Sequence, residues 1–244
     1  MTDLRYTVRD EIRLAYRHRT GNGPTIVFLP GYMSDMDGGK ATALDEWANA
    51  SGQAMLRLDY SGCGESEGLF ADQTLDSWRD DVIHLIDGII GGPVILVGSS
   101  MGGWLMLLVA LARPDRIAGM VGIAAAPDFT GWGFSDADRA RLAQGETLSE
   151  PSEYSDQPYI TTAAFWLSGE ANRRLGGPIP LDCPVRLLHG QKDADVPWEI
   201  SLQLGEKLRS ADVQIRLIKD GDHRLSRDQD IALLIDTVAA LVKD

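Results

Sequence analysis

Cysteine is scarce in this chain. Its two thiols, Cys63 and Cys183, stand far apart and in no metal-like spacing. That excludes a disulfide framework and a zinc motif, and it reads as two reduced thiols in a cytoplasmic protein. Long apolar runs are missing too. None approaches the roughly 18 residues of a membrane-spanning helix. The opening "MTDLRYTVRDEIRL" lacks the apolar centre of a signal peptide and is too acidic for a transit peptide. Positive charge is in short supply: 23 Lys and Arg face 36 Asp and Glu, a net charge of −13. Nucleic acid and anionic membranes would repel such a chain, so neither is expected as a partner. The glycine-rich loops "SGCGESEG" and "DGGK" lack the spacing that cradles phosphate, and no strand leads into G-x-G-x-x-G. Neither a nucleotide cofactor nor a metal is implied.

Apolar strand-like runs alternating with helical periodicity fill most of the 244 residues. "LRYTVRDEIRLAYRHRTG" reads as an antiparallel hairpin. "TIVFLPG" (25–31), residues 53–62, "VILVGS", "IAGMVGIAAAP", "PVRLLHG" and "VQIRLIKDGDH" read as buried strands. Helices are expected over 40–50, 77–89, 101–113, 197–210 and 229–244. This alternation predicts an α/β fold, with a mostly parallel sheet, an antiparallel N-terminal edge and helices on both faces. The core spans residues 1–126 and 183–244.

Residues 127–182 break the rhythm. They hold seven of the chain's 17 aromatic residues: Phe129, Trp132, Phe134, Tyr154, Tyr159, Phe165 and Trp166. A solvated loop would hold fewer. The segment reads as a helical insertion whose aromatic side packs onto the core, either as a lid over a pocket or as a purely structural subdomain.

"ILVGSSMGGW" (95–104) places Gly98-Ser99-Ser100-Met101-Gly102 between a strand and a helix. This G-x-S-x-G pattern has a mechanical reason. A nucleophile on a sharp strand-to-helix turn needs small residues two positions either side. Ser100 satisfies this; Ser99, flanked by Val97 and Met101, does not. The Met101 amide, unpaired at the helix start, can face a developing oxyanion. A serine hydroxyl needs a base. Of the four histidines, His18 and His84 read as surface or packing residues, and His189 as half-buried at a strand end. His223, in the loop after the last strand, suits the role. The acid is expected on "LLHGQKDADVPW", where spacing alone leaves both Asp193 and Asp195 open, the latter able to start a helix instead. The Tyr32 amide, after Pro30-Gly31, is the second candidate oxyanion donor. "DYSGCGESEG" (59–68) is expected to buttress that loop without chemistry of its own.

These residues resemble the α/β-hydrolase fold family. "PGYMSDMDGGKA", "RLDYSGCGES", "GPVILVGSSMGGWLML", "PIPLDCPVRLLHGQKDADVPW" and "GDHR" are similar to its palmitoyl-protein thioesterase and mycophenolic acid acyl-glucuronide esterase branch. The likeness runs from about residue 25 and weakens in the insertion. It implies Ser100 as nucleophile and His223 as base, and selects Asp193 as acid through G-x-x-D-x-x-V-P (Gly190, Asp193, Val196, Pro197). Many members carry His-Gly where this chain, like that branch, has Pro30-Gly31. The resemblance implies a serine hydrolase acting on carboxylic esters or thioesters, without cofactor. A monomer or weak homodimer is expected. Other chemistry on the same fold (carbon–carbon hydrolysis, cofactor-free peroxidation) and a non-catalytic ligand receptor are the alternatives.

Overall fold

In the computed structural model the described residues are 2–151 and 158–243. The chain opens on strands β1 (Leu4–Arg9) and β2 (Ile12–Arg19), an antiparallel pair joined through Asp10 and Glu11. Both turn residues have positive φ, 49° and 69°, the backbone a two-residue hairpin needs to match the strand twist. There follow β3 (Asn22–Leu29), α1 (Gly39–Ser51), β4 (Gln53–Leu58), α2 (Leu75–Ile89), β5 (Val94–Ser99), α3 (Met101–Ala112) and β6 (Ile117–Ile123). The chain then leaves the sheet through α4 (Phe129–Trp132), α5 (Asp136–Ala143), β7 (Leu148–Glu150), β8 (Tyr159–Thr161) and α6 (Ala163–Ala171). It returns as β9 (Val185–Gly190), α7 (Glu199–Lys207), β10 (Val213–Ile218) and α8 (Asp228–Lys243).

The sheet order is β1-β2-β4-β3-β5-β6-β9-β10. β1 with β2 and β2 with β4 run antiparallel, and every later pair is parallel. This is the α/β-hydrolase fold, with the expected antiparallel edge. Side-chain alternation along the buried strands feeds two cores. Val27, Leu29, Leu56, Leu58 and Leu96 face α2, α3 and α7, whereas Ile26, Phe28, Met55, Ile95 and Val97 face α1 and α8. Helix α3 is buried from Met101 through Ala110, which explains why it is apolar on every side. Helix α2 begins with a reciprocal capping box between Thr74 and Ser77.

Several strands stop earlier than hydropathy predicts. The run "IAGMVGIAAAP" stays in the sheet only to Ile123, because Ala124 turns out of it at φ 45°. The segment expected as a helical insertion also contains an antiparallel ribbon, β7 with β8. Its aromatic side does pack inward: Phe129, Tyr159 and Phe165 surround Tyr32, and Trp166 Nε1 donates to the Thr130 carbonyl. Tyr154 lies outside the described residues. Cys63 and Cys183 are free thiols, the first buried.

Candidate active site

Ser100 sits between β5 and α3 at φ 55°, ψ −119°, a conformation that costs a non-glycine residue about 1–3 kcal/mol. Its neighbours hold it there. The Ser100 amide donates to Ile123 O (2.9 Å), and the Ser100 carbonyl accepts from Gly103 and Ala126 (2.9 and 3.0 Å). The flanking glycines are required by close approach. A Cβ at Gly98 would lie 2.6 Å from the carbonyl carbon of Gly102, and one at Gly102 would lie 2.5 Å from Pro30 O.

The other two predicted side chains arrive on loops that touch. Lys192 N donates to Gly221 O (2.8 Å), joining the loop after β9 to the loop after β10. His223 Nε2 consequently stands 3.2 Å from Ser100 Oγ, and His223 Nδ1 stands 2.8 Å from Asp193 Oδ2. Lys40 Nζ donates to Arg224 O (2.5 Å), tethering the His223 loop to α1. Burial lowers the Lys40 pKa to about 8, with Arg224 adding to the effect.

Asp193 is a saturated acceptor. Oδ1 takes the amides of Asp195 and Val196 at 2.9 and 2.8 Å, and Oδ2 takes both His223 and His189. Burial alone would raise its pKa, but the hydrogen bonds from the two imidazoles and the charge of His223 hold it well below the usual carboxylate range. Asp195 turns away from the helix-starting role. Helix α7 opens at Glu199 behind Trp198, with no side-chain cap. Asp193, Asp195 and His223 do bring ligand atoms within 4.8 Å of one another. The four bonds on Asp193 nevertheless occupy the acceptor sites a cation would need.

Tyr32 and Met101 flank Ser100 on the wall of a cavity of about 680 Å³. Among the described residues their amides meet no acceptor. The Tyr32 ring packs on Phe70 and Trp78 of the core as well as on the three aromatics from the insertion, and its hydroxyl donates to Ile160 O at 2.5 Å. Phe129, Trp132, Phe134 and Tyr159 line the same cavity. The "DYSGCGESEG" loop buttresses the wall: Tyr60 donates to Pro30 O (3.1 Å), and Asp59 accepts from the Met36 amide (2.7 Å). Burial raises the Asp59 carboxyl to about 6.

Of the remaining histidines, His84 Nε2 pairs with Thr7 Oγ1 at 3.0 Å. His189 departs from expectation. It is wholly buried rather than half-buried, and it contacts Asp193. The clue in the sequence was its place on an apolar strand, four residues ahead of Asp193.

A family profile described as the Alpha/beta hydrolase family matches residues 26–237. The human protein named palmitoyl-protein thioesterase ABHD10, mitochondrial, is 41% identical over 99% of this chain and 80% of its own length. The solved structure of alpha/beta hydrolase domain-containing protein 10 from mouse superposes with a TM-score of 0.92 at 40% identity, covering 99% of both chains. A crystal structure from Agrobacterium vitis S4 gives the same TM-score at 39% identity, over 99% of this chain and 98% of that one. With sequence, topology and a serine on the strand-to-helix turn in agreement, the chain belongs to the α/β-hydrolase family.

Proposed function

We propose that this protein is a serine hydrolase that cleaves carboxylic esters or thioesters through an acyl-enzyme. The observation carrying the reading is the run of contacts from Ser100 through His223 to Asp193, at 3.2 and 2.8 Å. Ser100 Oγ attacks the substrate carbonyl carbon while its proton passes to His223 Nε2. Asp193 holds the ring through Nδ1 and stabilises the imidazolium. The Tyr32 and Met101 amides receive the oxyanion, each donor worth about 2.7–4 kcal/mol in the transition state. Collapse breaks the C–O or C–S bond, and His223 gives its proton to the leaving alcohol or thiol. Water then attacks the acyl-serine, returning its proton through His223 to Ser100 and releasing the carboxylic acid.

Residues 127–182 act as a lid in this reading, supported by the aromatic side chains they bring to the cavity. An acyl thioester substrate is supported by the name of the human relative, and a cavity of this volume with aromatic walls suits an apolar acyl chain. Among the described residues, no helix is long and apolar enough to cross a membrane. The relative is named as mitochondrial; fractionating cells that express a tagged chain decides between that compartment and the cytoplasm expected from the sequence. The test of mechanism is Ser100→Ala. It abolishes turnover of p-nitrophenyl butyrate and of acyl thioesters, and it loses labelling by a fluorophosphonate; turnover in the variant refutes the reading.

A further inference from the structure

Behind the three side chains lies a buried titratable group that the chemistry above does not use. His189, near the end of β9, is fully buried, and so is Ser201 on α7 at 1% exposure. Its Nε2 stands 3.1 Å from both Asp193 Oδ2 and the Val196 carbonyl oxygen. Both partners only accept, so Nε2 carries the proton. In the neutral ring Nδ1 is then bare, and the Ser201 hydroxyl, 2.7 Å away, donates to it. We infer that His189, locked in one tautomer by Ser201, is a positioning residue that fixes Asp193 and moderates the charge it presents to His223. The inference rests on the triad reading above.

Two imidazole N–H groups converge on a single carboxylate oxygen, and two backbone amides pin the other. The carboxylate therefore cannot rotate away from His223 without breaking bonds in a dry site, where each is strengthened by the low local dielectric. His189 also takes a share of the Oδ2 charge. With that donor gone, the full charge acts on His223 Nδ1. The imidazolium gains, and His223 holds its proton to higher pH. The carboxylate, one anchor short, spends less time in the productive geometry. Asp195, within 4.8 Å of His223, Asp222 and Arg224 on either side of it in the chain, and Lys40, whose amine donates to Arg224 O, are the other charged groups there, and all four stay in place when His189 is replaced.

The test compares three replacements. His189→Leu removes the donor. His189→Asn keeps a polar amide but places it where Nδ1 was, facing Ser201. His189→Gln restores an N–H at the position of Nε2. With p-nitrophenyl butyrate, Leu and Asn lower kcat roughly ten- to a hundredfold, the range for a lost hydrogen bond to a charged group. They leave KM near the wild-type value and move the acidic limb of the kcat/KM profile to higher pH. Gln recovers most of kcat and returns the limb. If Leu does not fold, the Asn and Gln pair carries the comparison. Equal activity in Asn and Gln, or a limb that stays or moves down in Asn, overturns the inference. Ser100→Ala run in parallel separates the two claims: turnover there sinks the triad itself. A dead Ser100→Ala beside wild-type behaviour in the His189 variants sinks only the role of His189.

Discussion

Replacing Gly102 with alanine adds one methyl group, and the structure says where it goes. The new Cβ would stand 2.5 Å from Pro30 O, closer still to Leu29 O, and 2.8 Å from the Leu29 carbonyl carbon. Ordinary contact begins near 3.4 Å, and these are backbone atoms with no rotamer to give way. The end of β3 and the start of α3 must part by roughly 1 Å, a misplacement that costs about a hundredfold when it falls on reacting groups. The two segments forced apart carry the Tyr32 and Met101 amides, so the methyl group opens the proposed oxyanion hole directly. We expect kcat for p-nitrophenyl butyrate to fall about 10²- to 10³-fold, the cost of one lost donor. Fluorophosphonate labelling of Ser100 slows in parallel, because it passes through a similar charged state. Overpacking takes about 1–3 kcal/mol of stability, and each 1 kcal/mol lowers Tm by about 2–4 °C in a chain of this size. Gly88→Ala is the control. That glycine is on α2 with nothing within 4 Å of an added Cβ, so alanine there stabilises by about 0.5–1 kcal/mol through backbone entropy alone and leaves kcat untouched. A Gly102→Ala enzyme with wild-type kcat would refute the placement of the oxyanion donors.

Asp193→Asn drops kcat by about 10⁴, as loss of the tautomer-fixing carboxylate does in other triads, whereas Asp195→Asn leaves most of it; steady-state kinetics on the pair checks the choice of acid. The same residue sets an acid dependence of folding. Its carboxyl is held below the usual range, so its stabilisation is present above the unfolded value near 3.9 and drains away as pH falls towards the lower folded value. Denaturant melts should show the gap between wild type and Asp193→Asn narrowing from pH 5 downwards; a constant gap contradicts this. Tyr32→Phe removes the bond to Ile160 and costs about 0.5–1.5 kcal/mol. Its backbone amide stays, so hydrogen exchange of β8 quickens while kcat changes less than tenfold; an unchanged exchange rate would show that the hydroxyl does not hold the ribbon.

How much of this was legible depends on whether the cause is local. Ser100 was readable because the turn that strains it imposes small residues at fixed offsets, and the clashes at Gly98 and Gly102 are those offsets seen in three dimensions. The ribbon β7–β8 was not, since strands of three residues are too short to show alternation. The choice between Asp193 and Asp195 lay between these cases. Both sit in one loop, and only a tertiary fact separates them. His223 follows edge strand β10, and Ser100 follows β5, three places away in the sheet. At about 4.8 Å per strand that is roughly 14 Å for a five-residue loop to cross. It can do so only by lying directly on the end of β9, where a Cβ at Gly190 would stand 2.6 Å from Asp222 O. Gly190 thus does for the loop carrying His223 what Gly102 does for the loop carrying Tyr32: it removes the side chain that would hold two backbones apart. The crossing delivers the His223 ring onto the first carboxylate of the β9 loop, Asp193, and leaves Asp195 exposed at the cavity rim. The carboxylate that faces His223 is therefore chosen by the path the histidine loop must take, while His189, four residues before Asp193, reaches the same oxygen from behind.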